Sequence, residues 1–167
     1  MLKVLKGKEK EVVKFEFDIY VPINIKFGLW DISEDQTIYW RTGDFKKSLI
    51  EIGIGEKTGD IHSITLILAQ NVYKLNNFDN GNSNIIEGMP KIKLDNLVNK
   101  TYNDEKGDIN VYVDRNNIYI LFSKNEVSSF IKNYNVEFGL DNDGMINMII
   151  IRNVKNSEKK ILEQALL

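Results

Sequence analysis

The stretches "EIGIGEKTGDIHSITLI" (51–67) and "EFGLDNDGMINMIII" (137–151) decide the fold. Each runs Glu, a large apolar residue, Gly, another apolar residue, a polar turn closing in Gly, one residue, Ile, two residues and then an apolar strand. In the first, Ile64, Leu66 and Leu68 alternate at period two, which marks a β-strand because side chains two apart share one face. Gly53, Gly55 and Gly59 invite comparison with a phosphate-cradling loop, but such loops aim the N-terminus of a following helix at phosphate. Here the spacing is not GxGxxG, no Gly-Lys-Ser/Thr follows, and a strand comes next. The glycines therefore read as architecture. Gly59 and Gly144 are expected at positive φ in turns, while Gly53 and Gly139, inside strands, predict a bulge or the close approach of another element.

Working outward, "EVVKFEFDIYVPINIKFGLW" (11–30) alternates through Val13, Phe15 and Phe17, then Ile23, Ile25 and Phe27, with Pro22 marking an edge or a break. "TIYWR" (37–41) and "SLIEIGI" (48–54) read as strands, and "DIHSITLILAQNVY" (60–73) as a long one. "KLNNFDNGNSN" (74–84) is a loop by its Asn, Asp and Gly content. "INVYVDRNNIYILF" (109–122) is a hairpin with its turn at Arg115–Asn116 or Asn116–Asn117. Ser123 with Glu126 forms a capping-box pattern before Val127, Phe130 and Ile131, which predicts a helix over 124–133. A second helix begins near Ser157.

These elements predict an α+β fold: one domain over 1–167, mainly antiparallel sheet built from hairpins, with a short helix and a C-terminal helix. Internal duplication of the hairpin unit at 51–67 and 137–151 and convergence of two independent hairpins both account for the shared pattern.

The chain has 167 residues, 43% of them hydrophobic and 28% charged, which is ordinary for a folded protein. A formal charge of −2 and a pI near 5.5 argue against nucleic acid as the main partner, since phosphate binding rests on a basic surface. There are no cysteines, no apolar run of membrane-spanning length and no apolar leader near the start, so a cytoplasmic protein without a membrane role is expected.

No motif names a reaction. The lone histidine, His62, sits beside Ser63 in a strand, where alternation sends the two to opposite faces, and a solvent-edge position is expected. Asp141, Asp143 and Gly144 resemble the start of a calcium loop, but the acids stop and a strand follows, so a hairpin turn is read instead. A non-catalytic protein with no metal and no cofactor is expected. The most suggestive stretch is "LWDISEDQTIYWR" (29–41), where Trp30, Tyr39 and Trp40 bracket Asp31, Glu34 and Asp35. Aromatic anchors beside acids suit contact with a basic protein partner, and burial of the tryptophans in the core is the competing reading.

In its acidic, cysteine-free, β-rich character and in the hairpin "TGDIHSITLI", the chain resembles the small cytoplasmic immunity proteins of bacterial polymorphic toxin systems. That resemblance implies a protein that binds a cognate toxin domain and blocks it, with "LWDISEDQTIYW" and the loop "YNDEKGD" (102–108), which carries Asp104 and Glu105, as the places where binding is sought. The alternatives are a homodimer or larger homomer joined through an exposed edge strand, and a small-ligand binder.

Overall fold

The computed structural model describes residues 1–29, 32, 34–78, 81, 83–95, 97 and 100–166. Its strands are β1 (Val4–Lys8), β2 (Val13–Glu16), β3 (Ile23–Phe27), β4 (Thr37–Gly43), β5 (Ser48–Gly55), β6 (Ile61–Ala69), β7 (Val72–Lys74), β8 (Asn84–Glu87), β9 (Met89–Ile92), β10 (Tyr102–Lys106), β11 (Asn110–Val113), β12 (Ile118–Leu121), β13 (Ser129–Asn133), β14 (Val136–Leu140) and β15 (Ile146–Ile151). They are followed by one helix, α1 (Asn156–Ala165). The protein is thus mostly β with a C-terminal helix.

Two larger sheets carry the fold, ordered β10-β4-β5-β6-β3-β2 and β7-β11-β12-β15-β14-β13-β8. Their inward residues, among them Ile25, Ile52 and Ile64 from the first and Ile120, Phe138 and Ile149 from the second, join one buried cluster. Phe27 and Phe138 meet across it with ring centroids 6.1 Å apart. From β4 to β2 and from β13 to β11 the strands follow the same order, each antiparallel to the next. Each sheet then gains a parallel strand outside that set, β10 on β4 and β8 on β13, and β7 adds in parallel to β11. The expectation of hairpin-built antiparallel sheet therefore holds for the sheet interiors and fails at these edges.

The paired sequence motif occupies matching places. β5–β6 and β14–β15 are the central hairpins, and the register slips at Gly53/Ile54 and at Gly139/Leu140. The reason for glycine is a neighbour on the next strand. A Cβ on Gly53 would come to 3.3 Å from the Tyr39 ring, and one on Gly139 to 3.1 Å from the Phe130 ring, so each aromatic lies over a glycine. The turn glycines, Gly59 (φ 73°) and Gly144 (φ 72°), adopt the expected left-handed backbone. The antiparallel pair β1–β9 ties both turns together: Val4 N–H donates to the Gly144 carbonyl and Ile92 N–H to that of Gly59.

The helix expected over 124–133 is absent, and β13 occupies its second half. Ser123 Oγ accepts from the Asn125 amide two residues on, closing a local turn instead of capping a helix. Pairing on both sides, with β14 and β8, then holds Ser129–Asn133 extended. The 109–122 hairpin turns at Arg115–Asn116, secured by Asp114, whose Oδ1 accepts from the Asn116 and Asn117 amides. α1 begins where the sequence pattern placed it and buries Leu162 against the main cluster.

Candidate functional site

Residues 39–41 of one stretch singled out by composition lie beside residues 102–104 of the other. β10 runs parallel to β4 with Tyr102 beside Tyr39, Asn103 beside Trp40 and Asp104 beside Arg41, and it is the edge of its sheet. Alternation along β4 sends Ile38, Trp40 and Thr42 inward and leaves Tyr39 and Arg41 on the outer face.

On that face the Tyr39 and Tyr102 rings stack with centroids 5.6 Å apart and planes 24° from parallel. The Arg41 guanidinium lies 4.3 Å from the centre of the Tyr102 ring and forks onto Asp104, Nε to Oδ1 at 2.7 Å and NH2 to Oδ2 at 2.9 Å. Tyr102 is nevertheless 49% exposed. The arrangement is an aromatic ridge held rigid by its own charges. Hydrogen bonding from Arg41 holds the Asp104 carboxyl below the usual carboxylate range. Across β5, Glu51 sits opposite Arg41, and burial raises its pKa against the pull of that guanidinium.

Glu105 points the other way. It accepts from the Trp40 indole N–H at 2.9 Å and from the N-terminal ammonium of Met1. Burial alone would raise its pKa, but these two donors outweigh it and the pKa is lowered. Each of these two β10 carboxylates is held by fixed donors, which makes the ridge rigid.

The other expected site residues divide. Trp30 and Asp31 lie outside the described residues. Glu34 is exposed, three residues before β4. Asp35 is turned inward as a structural group, accepting from Thr58 Oγ1 at 2.6 Å and from the Lys57 and Thr58 amides, which secures the β5–β6 turn. Trp40 requires correction as a surface anchor: it is 3% exposed and packs edge-on against Phe122 at 6.0 Å.

His62 also departs from expectation. It is the extra residue of the bulge opposite Gly53/Ile54 and is only 5% exposed, with Nδ1 2.9 Å from Thr37 Oγ1. The bulge breaks simple alternation: both Ser63 and His62 approach the face of β5 that a Cβ on Gly53 or Gly55 would occupy. Burial lowers the pKa of His62 despite the nearby Asp35 and Asp60 carboxylates. In the Asp141–Gly144 turn, the Asp143 and Met145 amides donate to Asp141 Oδ1, as expected of a hairpin. Among the described residues no group of three or more His or acidic side chains is arranged to hold a metal ion.

Comparison with models of known protein families and with curated proteins finds no match. Among the described residues no helix is long and apolar enough to cross a membrane.

The pairing of β10 with β4 was not visible in the sequence. "YNDEK" carries one large apolar residue and no alternation of buried apolar positions, because a parallel edge strand borrows its place from its neighbour's hydrogen bonds.

Proposed function

We propose that this protein is a non-catalytic binding protein of the immunity type, which inhibits a cognate toxin domain by direct contact through the β4–β10 ridge. The observation that carries this reading is that Tyr39 and Arg41 of one stretch meet Tyr102 and Asp104 of the other on one pre-organised surface, fixed by one another. Rigid aromatics lose little entropy on contact, and flanking acids such as exposed Glu34 steer a basic partner.

The test is co-expression with the toxic C-terminal domain of a large secreted protein encoded beside this gene. Rescue of growth and co-elution of the two chains support the reading. Absence of such a gene, or toxicity unchanged by the protein, counts against it.

A second reading has one specific observation in its favour. β8, the far edge of the seven-stranded sheet, is exposed along its whole length, with Ile85 and Ile86 53% and 52% exposed. Bare apolar edges pair with other strands unless blocked, and a homomer joined through β8 fits. A concentration-independent monomer by light scattering removes this reading.

A further inference from the structure

The outer face of the seven-stranded sheet carries an open cavity of about 520 Å³, within the ~300–1,000 Å³ range of small-molecule sites. Its floor follows the register of the sheet. Leu121, Met148, Gly139 and Phe130 are partners across β12, β15, β14 and β13, and side chains in one register row share a face. Leu121, Met148 and Phe130 all line the cavity, and Val127 and Phe78 add to its apolar surface. Phe78 is held in place by its stack on Tyr119, with ring centroids 4.4 Å apart.

The polar rim comes from 123–128, a segment without regular secondary structure that is pinned at both ends by hydrogen bonds. Asn125 is tied three ways: its amide N–H donates to Ser123 Oγ at 3.0 Å, its Nδ2 to Asp141 Oδ2 at 3.0 Å, and its carbonyl accepts from Asn147 Nδ2 at 2.8 Å. Asp141 and Asn147 are themselves buried, so these anchors belong to the sheet. At the other end the Ser128 N–H and hydroxyl both donate to the Leu140 carbonyl.

Lys124 and Glu126 flank the pinned Asn125, and both are exposed and line the cavity. Among the described residues they are its only charged side chains, and neither side chain makes an ion pair or hydrogen bond. The mouth therefore carries one uncommitted charge of each sign above an apolar floor.

We infer that this cavity binds a free α-amino acid with a large apolar side chain, its carboxylate on Lys124, its ammonium on Glu126 and its side chain on the Leu121, Met148 and Phe130 floor. In such a molecule both charges sit on one carbon and the side chain points away from them, which matches two opposite charges at the mouth of an apolar cavity. Contact with aromatic rings and a thioether supplies the main attraction. The charged groups stay at the exposed rim and avoid the cost of burial. A chain terminus keeps only one of the two charges, so it fits half of the rim.

The experiment titrates isotope-labelled protein with phenylalanine, with phenylalaninamide, which lacks the carboxylate, and with hydrocinnamate, which lacks the ammonium. Phenylalanine is expected to shift the Leu121, Val127 and Met148 methyl signals saturably and to bind about three- to fivefold more tightly than either analogue, the effect of one exposed ion pair. Lys124→Ala is expected to remove the advantage over phenylalaninamide and keep that over hydrocinnamate, and Glu126→Ala to do the reverse. Both substitutions are at exposed positions outside the anchoring hydrogen bonds, so the fold is retained. No saturable shift at millimolar phenylalanine, equal affinity for the three compounds, or variants that leave the preferences unchanged overturns the inference.

Discussion

Gly59 and Gly144 close equivalent turns with nearly the same backbone, φ 73° and 72°, but their surroundings differ. A Cβ on Gly144 would meet nothing closer than the Lys3 ammonium at 3.4 Å. A Cβ on Gly59 would overlap the carbonyl oxygen of Ile92, backbone that cannot swing away. Gly144→Ala therefore carries only the left-handed backbone term, about 1–2 kcal/mol. Gly59→Ala carries the same term together with overpacking of about 1–3 kcal/mol. It also weakens the Ile92 N–H to Gly59 carbonyl bond (2.8 Å), worth about 1 kcal/mol. The expected losses are about 1–2 kcal/mol for Gly144→Ala and about 3–6 kcal/mol for Gly59→Ala. Urea unfolding followed by intrinsic tryptophan fluorescence reads both from the midpoint and slope. Equal losses for the two variants would refute the claim that β9 packs directly on the β5–β6 turn.

Two further predictions concern buried polar groups. His62 is the only histidine, and burial lowers its pKa from the ordinary 6.5, so the unfolded chain binds the extra proton first. Its contribution to stability is complete above pH ~6.5 and is lost as pH falls through the folded-state pKa. Wild type should therefore lose stability as pH falls below about 6.5, and His62→Asn should flatten that dependence, as read by urea midpoints at each pH. Trp40→Phe should cost about 1–3 kcal/mol by removing the indole donor from Glu105 and part of the core, while partner affinity measured by calorimetry stays within twofold.

Much of the fold is legible in particular residues. Asp114, Asp141, Gly59 and Gly144 have local turn chemistry that acts within a few residues, so their turns appear where the sequence places them. The 124–133 segment misleads because Val127, Phe130 and Ile131 fit helical spacing while "SFIKN" also fits a strand. The decision comes from β14 and β8, both distant partners. Trp40 was legible as inward from its alternation with Tyr39 and Arg41, whereas the bulge that brings His62 onto the face of Ser63 has no counterpart in simple period-two reading. The candidate surface was legible in its parts and not in its assembly. Tyr39 and Tyr102 are stacked across a parallel edge pairing that leaves no local signature.

The most direct test of the β4–β10 ridge measures the dissociation constant of the cognate toxin domain for wild type, Tyr102→Ala and Asp104→Lys by titration calorimetry, with near-UV circular dichroism verifying that each variant is folded. Tyr102→Ala removes the ring between Tyr39 and Arg41, and Asp104→Lys opposes Arg41 with a like charge on the exposed edge. At least a tenfold loss for each, about 1.4 kcal/mol or more, is the predicted result. Unchanged affinity in both folded variants would contradict the assignment of this ridge as the binding surface.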